Sequence, residues 1–456
     1  MKTKQMLLIK LTLQSFLSIA LLISTILPCA TVDGQTQRKK TITRVFWQDL
    51  ESGKLNYADL ATTDKWHINR GWVQGFPETD TANQQLGPMQ QIGKTLVVSI
   101  NAGGDNGKSK IVGIDSGVFE QPHGNHTHWV YSSLPQARTV QPIEGTAREA
   151  MVINNQYYFG LNDQRFVAAD PNQLMQQGNT NALRMLKAGG EKGCMAVTNN
   201  GVGFATWNEA DGDHAGQVDV VNLYNPNVPT SSFRIGSGGI SAVTVNSGKA
   251  FFASDRGLSW ASVNQPFNAN QNTPAVNPVA NSEQQGSKPS NLINERNWVL
   301  YTANGEQPAL CMCNAASSQP VVLKLPIPVE QGLRLSAPKT KLSLGKRYAF
   351  AFLEREDAGS EVQEQLVVVE LDPNRDFDFS DARVAKQIPV DASKIDGDRG
   401  HHQICFDAFG RFAVFTNPGD GLLSVMTLND LVVRVRFRVG GQPDRIVAVG
   451  APEHFH

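Results

Sequence analysis

The sequence predicts an all-β fold of the β-propeller type, with eight blades, or seven if the degenerate third or sixth unit is miscounted. Three observations predict it. A strand-rich phrase returns along the chain at Arg44, Lys94, Tyr157, Val202, Ala250, Trp298, Tyr348 and Phe412, in steps of roughly 45–64 residues. Within each unit, apolar residues alternate around a polar or Gly-rich hairpin, and the phrase often ends near Asp-Leu, as in Asp59-Leu60. After the last unit an apolar strand, Arg445–Val449, has no unit left to follow it. It would serve as the inner strand of the first blade, closing the ring with strands from both chain ends. A ring buries both apolar faces of every small sheet without leaving a long exposed edge.

Taken in order, the chain begins with an export signal over residues 1–34. Lys2, Lys4 and Lys10 precede an apolar run from Leu11 to Leu27, then Pro28-Cys29-Ala30. An uncleaved membrane anchor is the alternative reading of this stretch. Residues 35–42 read as a short linker and residues 43–456 as a single propeller domain. The clearest unit is the last, with His402–Asp407 as inner strand, Arg411–Thr416 second, Leu422–Leu428 third and Leu431–Val439 outer. Gln265–Ser290, rich in Asn, Gln, Pro and Ala, reads as a long irregular connection.

Composition narrows the function classes. The net charge of −1 gives no electrostatic reason to expect a nucleic-acid partner. A periplasmic or secreted monomer, free of the membrane once the signal is removed, is expected. Four cysteines follow the signal, Cys194, Cys311, Cys313 and Cys405, and their pairing is undetermined by sequence. Cys311 and Cys313 alternate on a strand and so share a face. They read as two small buried residues or as soft-metal ligands. Gly-x-Ser-x-Gly, Walker, Rossmann and His-Glu-x-x-His motifs are absent from the sequence.

Chemistry concentrates in Pro122-His123-Gly124-Asn125-His126-Thr127-His128-Trp129, which holds three of the nine histidines. His126 and His128 alternate, so an extended strand puts them on one face, and the Gly-Asn turn lets His123 fold back toward them. Three neutral imidazoles can supply most of a tetrahedral zinc site. The competing reading is a solvated loop before a surface strand. The stretch falls between a third strand, Ile111–Asp115, and an outer strand expected at Trp129–Ser133 of blade two. His67, Asp64 and Glu120 are the candidates for a fourth ligand. Asn125-His126-Thr127 also matches a glycosylation sequon.

A second histidine pair, His401-His402, follows Asp396-Gly397-Asp398 at an outer-to-inner strand connection, hence on the opposite face of the disc. It could hold a second metal with Asp396, Asp398 or His214. Both histidines could chelate one ion only if His401 stays in the loop. His454 and His456 read as a terminal tail.

The final unit, from Gly400-His401-His402 through Asp444, resembles the repeat of YVTN-type propellers. Ile114-Asp115-Ser116-Gly117-Val118-Phe119 running into His123–Trp129, with the Arg44…Asp59-Leu60 opening, is similar to the AztD family of periplasmic zinc metallochaperones. That resemblance implies a propeller that binds zinc through histidines and passes it to the solute-binding protein of a zinc ABC importer. The chain departs from the family's pattern in three places. Thr31–Lys40 carries no histidine, Asn125 replaces an acid, and no histidine stands near Cys194. Two other classes compete: a metal-dependent lactonase or hydrolase acting at the channel mouth, and a structural or protein-binding propeller without metal.

Overall fold

The computed structural model describes residues 40–103, 108–124, 126–162, 165–179, 181–224, 231–236, 238–263, 274–282, 291–356 and 361–452. The expected signal and most of the linker, Asn125 of the sequon, and His454 and His456 lie outside the described residues. So do the side chains of His123 and His126, whose backbone is described.

Eight antiparallel sheets follow one another and form a ring, so the eight-bladed reading holds. Blade eight shows the pattern: inner strand Ile404–Phe406, then Phe412–Asn417, Leu422–Thr427 and outer Val432–Arg438. The ring closes as the sequence implies. Pro443–Val449 pairs antiparallel with Lys40–Asp49, with Arg44 opposite Val449 and Trp47 opposite Ile446. Residues from the two ends of the propeller thus share blade one.

The apolar cores sit between blades, and the period-2 rule explains why. On the second strand of blade eight, Ala413 and Phe415 pack toward Phe350, Phe352 and Val368 of blade seven. Val414 between them faces the other way, toward Val45, Trp47 and Leu60 of blade one. One alternating strand therefore supplies two cores, which is why almost every second and third strand is apolar on both faces.

Three expectations are corrected. The outer strand of blade two is Gln136–Ile143, not Trp129–Ser133. Residues Phe119–His123 and His126–Val130 instead pair with each other as a separate two-stranded hairpin. The supposedly irregular stretch from Gln265 contains the outer strand of blade five, Val276–Pro278, paired with Ser259–Ala261. In blade eight the inner strand starts at Ile404, so both His401 and His402 precede it.

Candidate metal-binding hairpin and channel-mouth histidines

The hairpin is short because His123 pairs directly with His126, and Gly124 leads the turn between them. Gly124 has φ of 61° and no atom within 4 Å of where a Cβ would stand, so only its backbone freedom is used. Two-residue hairpin turns require that left-handed sign at the first position. The register is His123 opposite His126, Gln121 opposite His128 and Glu120 opposite Trp129. Directly opposed positions share a face, as do positions two apart. Positions 121, 123, 126 and 128 therefore lie on one face, and Glu120, Pro122, Thr127 and Trp129 on the other. Trp129 packs against the core between blades one and two, which orients the hairpin.

This register brings the three predicted histidine positions together and separates Glu120 from them. Glu120, opposite Trp129, lies on the other face. Gln121, across from His128, is the polar residue that sequence reading missed, although the hairpin register would have exposed it. His67 lies on the outer strand of blade one, Trp66–Trp72, with Nε2 3.4 Å from the Thr63 hydroxyl oxygen. Asp64, in the turn before it, accepts from that hydroxyl at 2.7 Å. This bond and nearby backbone N–H groups hold its carboxyl below the usual range.

Both ends of the excursion are tied to blade one by Arg44, which is 1% exposed. Its Nη1 donates to the carbonyls of Ser116 and Ser133, each at 2.7 Å. Its Nε and Nη2 donate to Asp59 Oδ1 and Oδ2 at 2.6 and 2.8 Å. Tyr131 adds a second tie, donating to the Ala451 carbonyl at 3.0 Å. Burial, then the Asp59 and Asp407 carboxylates, push its phenol far above the ordinary value, so it stays a donor.

At the other cluster both imidazoles are fully engaged. His402, 2% exposed, places Nδ1 2.7 Å from the Thr416 carbonyl and Nε2 3.2 Å from Glu364 Oε2, and its ring stacks on Phe352. His401 places Nδ1 2.9 Å from Glu354 Oε2 and Nε2 2.9 Å from the Gly397 carbonyl. Each ring nitrogen of the pair thus faces a carbonyl or carboxylate oxygen within hydrogen-bond distance. Burial alone would lower the pKa of His401. The Glu354 carboxylate and the Gly397 carbonyl outweigh it and raise the net value, with Arg334 opposing.

His214 is likewise engaged elsewhere, stacked on Trp207 at 3.8 Å with Nδ1 2.9 Å from Gln217 Oε1. Among the described residues, no group of three or more His, Cys, Asp or Glu side chains is arranged to hold a metal. Cys194, Cys311, Cys313 and Cys405 are all free thiols. Cys311 and Cys313 sit in the apolar core between blades five and six, where burial pushes their pKa values up to about 11 and about 12.

No protein-family model and no curated protein matches the chain. Among solved structures it is similar to AztD of Citrobacter koseri, with a TM-score of 0.60 and 15% identity over 91% of this chain and 100% of that one. The apo AztD structure from the same organism gives 0.57 at 15% identity, with 91% and 100% covered. A periplasmic gluconolactonase of Pseudomonas aeruginosa, PpgL, gives 0.48 at 13% identity over 90% and 100%. At these identities the likeness is one of fold, and the AztD-like propeller that the sequence resemblance implies is the fold this chain adopts.

Proposed function

We propose that the protein is an exported zinc metallochaperone that carries zinc on the histidine face of the blade-two hairpin. It would hand the ion to the solute-binding protein of a zinc ABC importer. The observation that carries this reading is the register, which sets positions 123, 126 and 128 on one face beside a two-residue turn. Opposed positions lie about 4.5–5.5 Å apart at Cβ, close enough for imidazoles to converge on one ion at about 2.0–2.1 Å. The motif resemblance to AztD-type metallochaperones supports zinc as cargo and the importer's binding protein as recipient. A site built on a hairpin outside the blade keeps its ion within reach of a second protein, as transfer requires.

The lactonase or hydrolase reading needs a metal with an open position at the channel mouth. Every ring nitrogen of His401 and His402 faces an oxygen at hydrogen-bond distance, which favours the hairpin over this cluster as the place for a metal.

Competition for zinc against a chromophoric chelator tests the proposal. The parent protein should compete and the His126→Ala/His128→Ala variant should not. A parent that takes up no zinc, or a double variant that binds it equally well, would sink the assignment.

A further inference from the structure

The inner strand of blade seven is broken. Leu333–Leu335 pairs with one end of the second strand, at Leu353–Arg355, and Lys339–Ser343 pairs with the other, at Lys346–Phe350. Between them, Ser336-Ala337-Pro338 leaves the ladder. The Ser336 N–H donates to the Phe352 carbonyl and the Phe352 N–H to the Ser336 hydroxyl oxygen, at 2.8 and 2.9 Å. Proline cannot donate to a ladder, and such interruptions re-aim side chains beside functional sites. A cavity of about 480 Å³ opens at this break, against the chain entering blade eight. That volume falls within the range of small-molecule sites, about 300–1,000 Å³.

The charges around the cavity are not balanced internally. Glu354 is spent, with Oε2 against His401 and Oε1 accepting from the His402 N–H at 2.6 Å. Arg334 and Lys339 both line the space. Among the described residues neither has a carboxylate within ion-pair distance, and Lys339 Nζ donates only to the Ile404 carbonyl, at 2.9 Å. Among their charged neighbours, Arg445 acts on Lys339 with the same sign and Arg334 does so on His401, while Asp444 and Asp398 act on Arg445 with the opposite one. Asp398 is the remaining acid of the lining, with the amides of Asn291 and Gln403 nearby. A guanidinium fork beside an ammonium takes a planar or tetrahedral oxyanion, and a carboxylate with two amides takes hydroxyl groups.

We propose that this cleft, which blades seven and eight line together with Asn291 and Asn304 of blade six, binds a small hydroxylated carboxylate. Arg334 and Lys339 hold its carboxylate, while Asp398, Asn291 and Gln403 hold its hydroxyls. The site shares no lining residue with the hairpin to which zinc binding is assigned.

Calorimetric titration of the mature protein with galacturonate, with galactose and with inorganic phosphate tests this. Galacturonate should bind saturably in the millimolar range or tighter, and galactose should not. Arg334→Ala and Lys339→Ala, both at solvent-exposed positions, should each weaken galacturonate about tenfold or more. Thermal unfolding of each variant reports whether it is folded, and chelator competition reports the hairpin independently. Zinc uptake should be the same in parent and variants. Equal binding of galactose and galacturonate, phosphate binding without galacturonate binding, no saturable binding of galacturonate, or undiminished galacturonate affinity in both variants would each overturn the proposal.

Discussion

Arg44 and Asp59, register partners on the second and third strands of blade one, form a two-pronged ion pair at 2.6 and 2.8 Å. The same guanidinium grips the carbonyls of Ser116 and Ser133, the two ends of the histidine excursion. Removing one partner of a buried pair costs about 3–5 kcal/mol, since the other is left uncompensated. Arg44→Met should therefore lower unfolding free energy by roughly that amount. Amide exchange should quicken most over residues 116–133, and Arg44→Lys should fall between variant and parent. Unchanged exchange in the excursion would show that the clamp does not hold it.

The hairpin register makes a prediction that composition alone could not. Glu120→Ala, on the far face, should leave zinc affinity within about twofold of the parent. Loss of a ligating imidazole in His126→Ala should weaken it by about 10–100-fold, the range known for perturbing a metal's support. Chelator competition on both variants checks the contrast, and a comparable loss in both would place the ion on neither face in particular.

Zinc uptake should also fall with acid. Imidazoles bind metal in the neutral form, so protons compete as pH drops through about 6.5. Affinity measured from pH 8 to 5 should decline through that window. A flat profile would point to ligands other than histidine.

Glu364 and His401 govern the pH dependence of stability rather than of zinc uptake. Burial pushes the Glu364 pKa up, but His402 and the Ser393 hydroxyl and N–H outweigh it and hold it at about 2, below the ordinary 4.5. A depressed carboxyl stabilises fully above about 4.5 and loses that contribution as pH falls through about 2. His401 has the opposite sign. Its raised pKa stabilises below the ordinary 6.5, and the contribution is lost as pH rises through the folded value. Glu364→Gln should flatten the acid limb of a melting-temperature profile, and His401→Gln the limb above 6.5.

Cys311, Cys313 and Cys405 should resist a thiol reagent at pH 8 in the folded protein and react once it is unfolded. Burial pushes Cys405 up to about 12, as it does Cys313, so the reactive thiolate is scarce as well as enclosed. Rapid native labelling would mean that the blade cores open.

Much of this molecule is legible in local pattern. Strand alternation, turn residues and the spacing of the units predict the propeller, its eight blades and the closure of Pro443–Val449 on Lys40–Asp49. Alternation also predicts that His126 and His128 share a face. Alternation is a property of neighbours, and whatever depends on distant partners escapes it. The excursion reads as part of blade two, yet Arg44 holds it from positions 72 and 89 residues away. Glu120 reads as a nearby acid until pairing with Trp129 turns it to the other face. His402 reads as a possible ligand until Thr416 and Glu364, brought across from other strands, take both its nitrogens. By itself the sequence determined the repeat, the ring and the concentration of imidazoles. Only the tertiary structure decided which polar atoms remain available, because burial obliges each donor and acceptor to find a partner wherever the fold provides one.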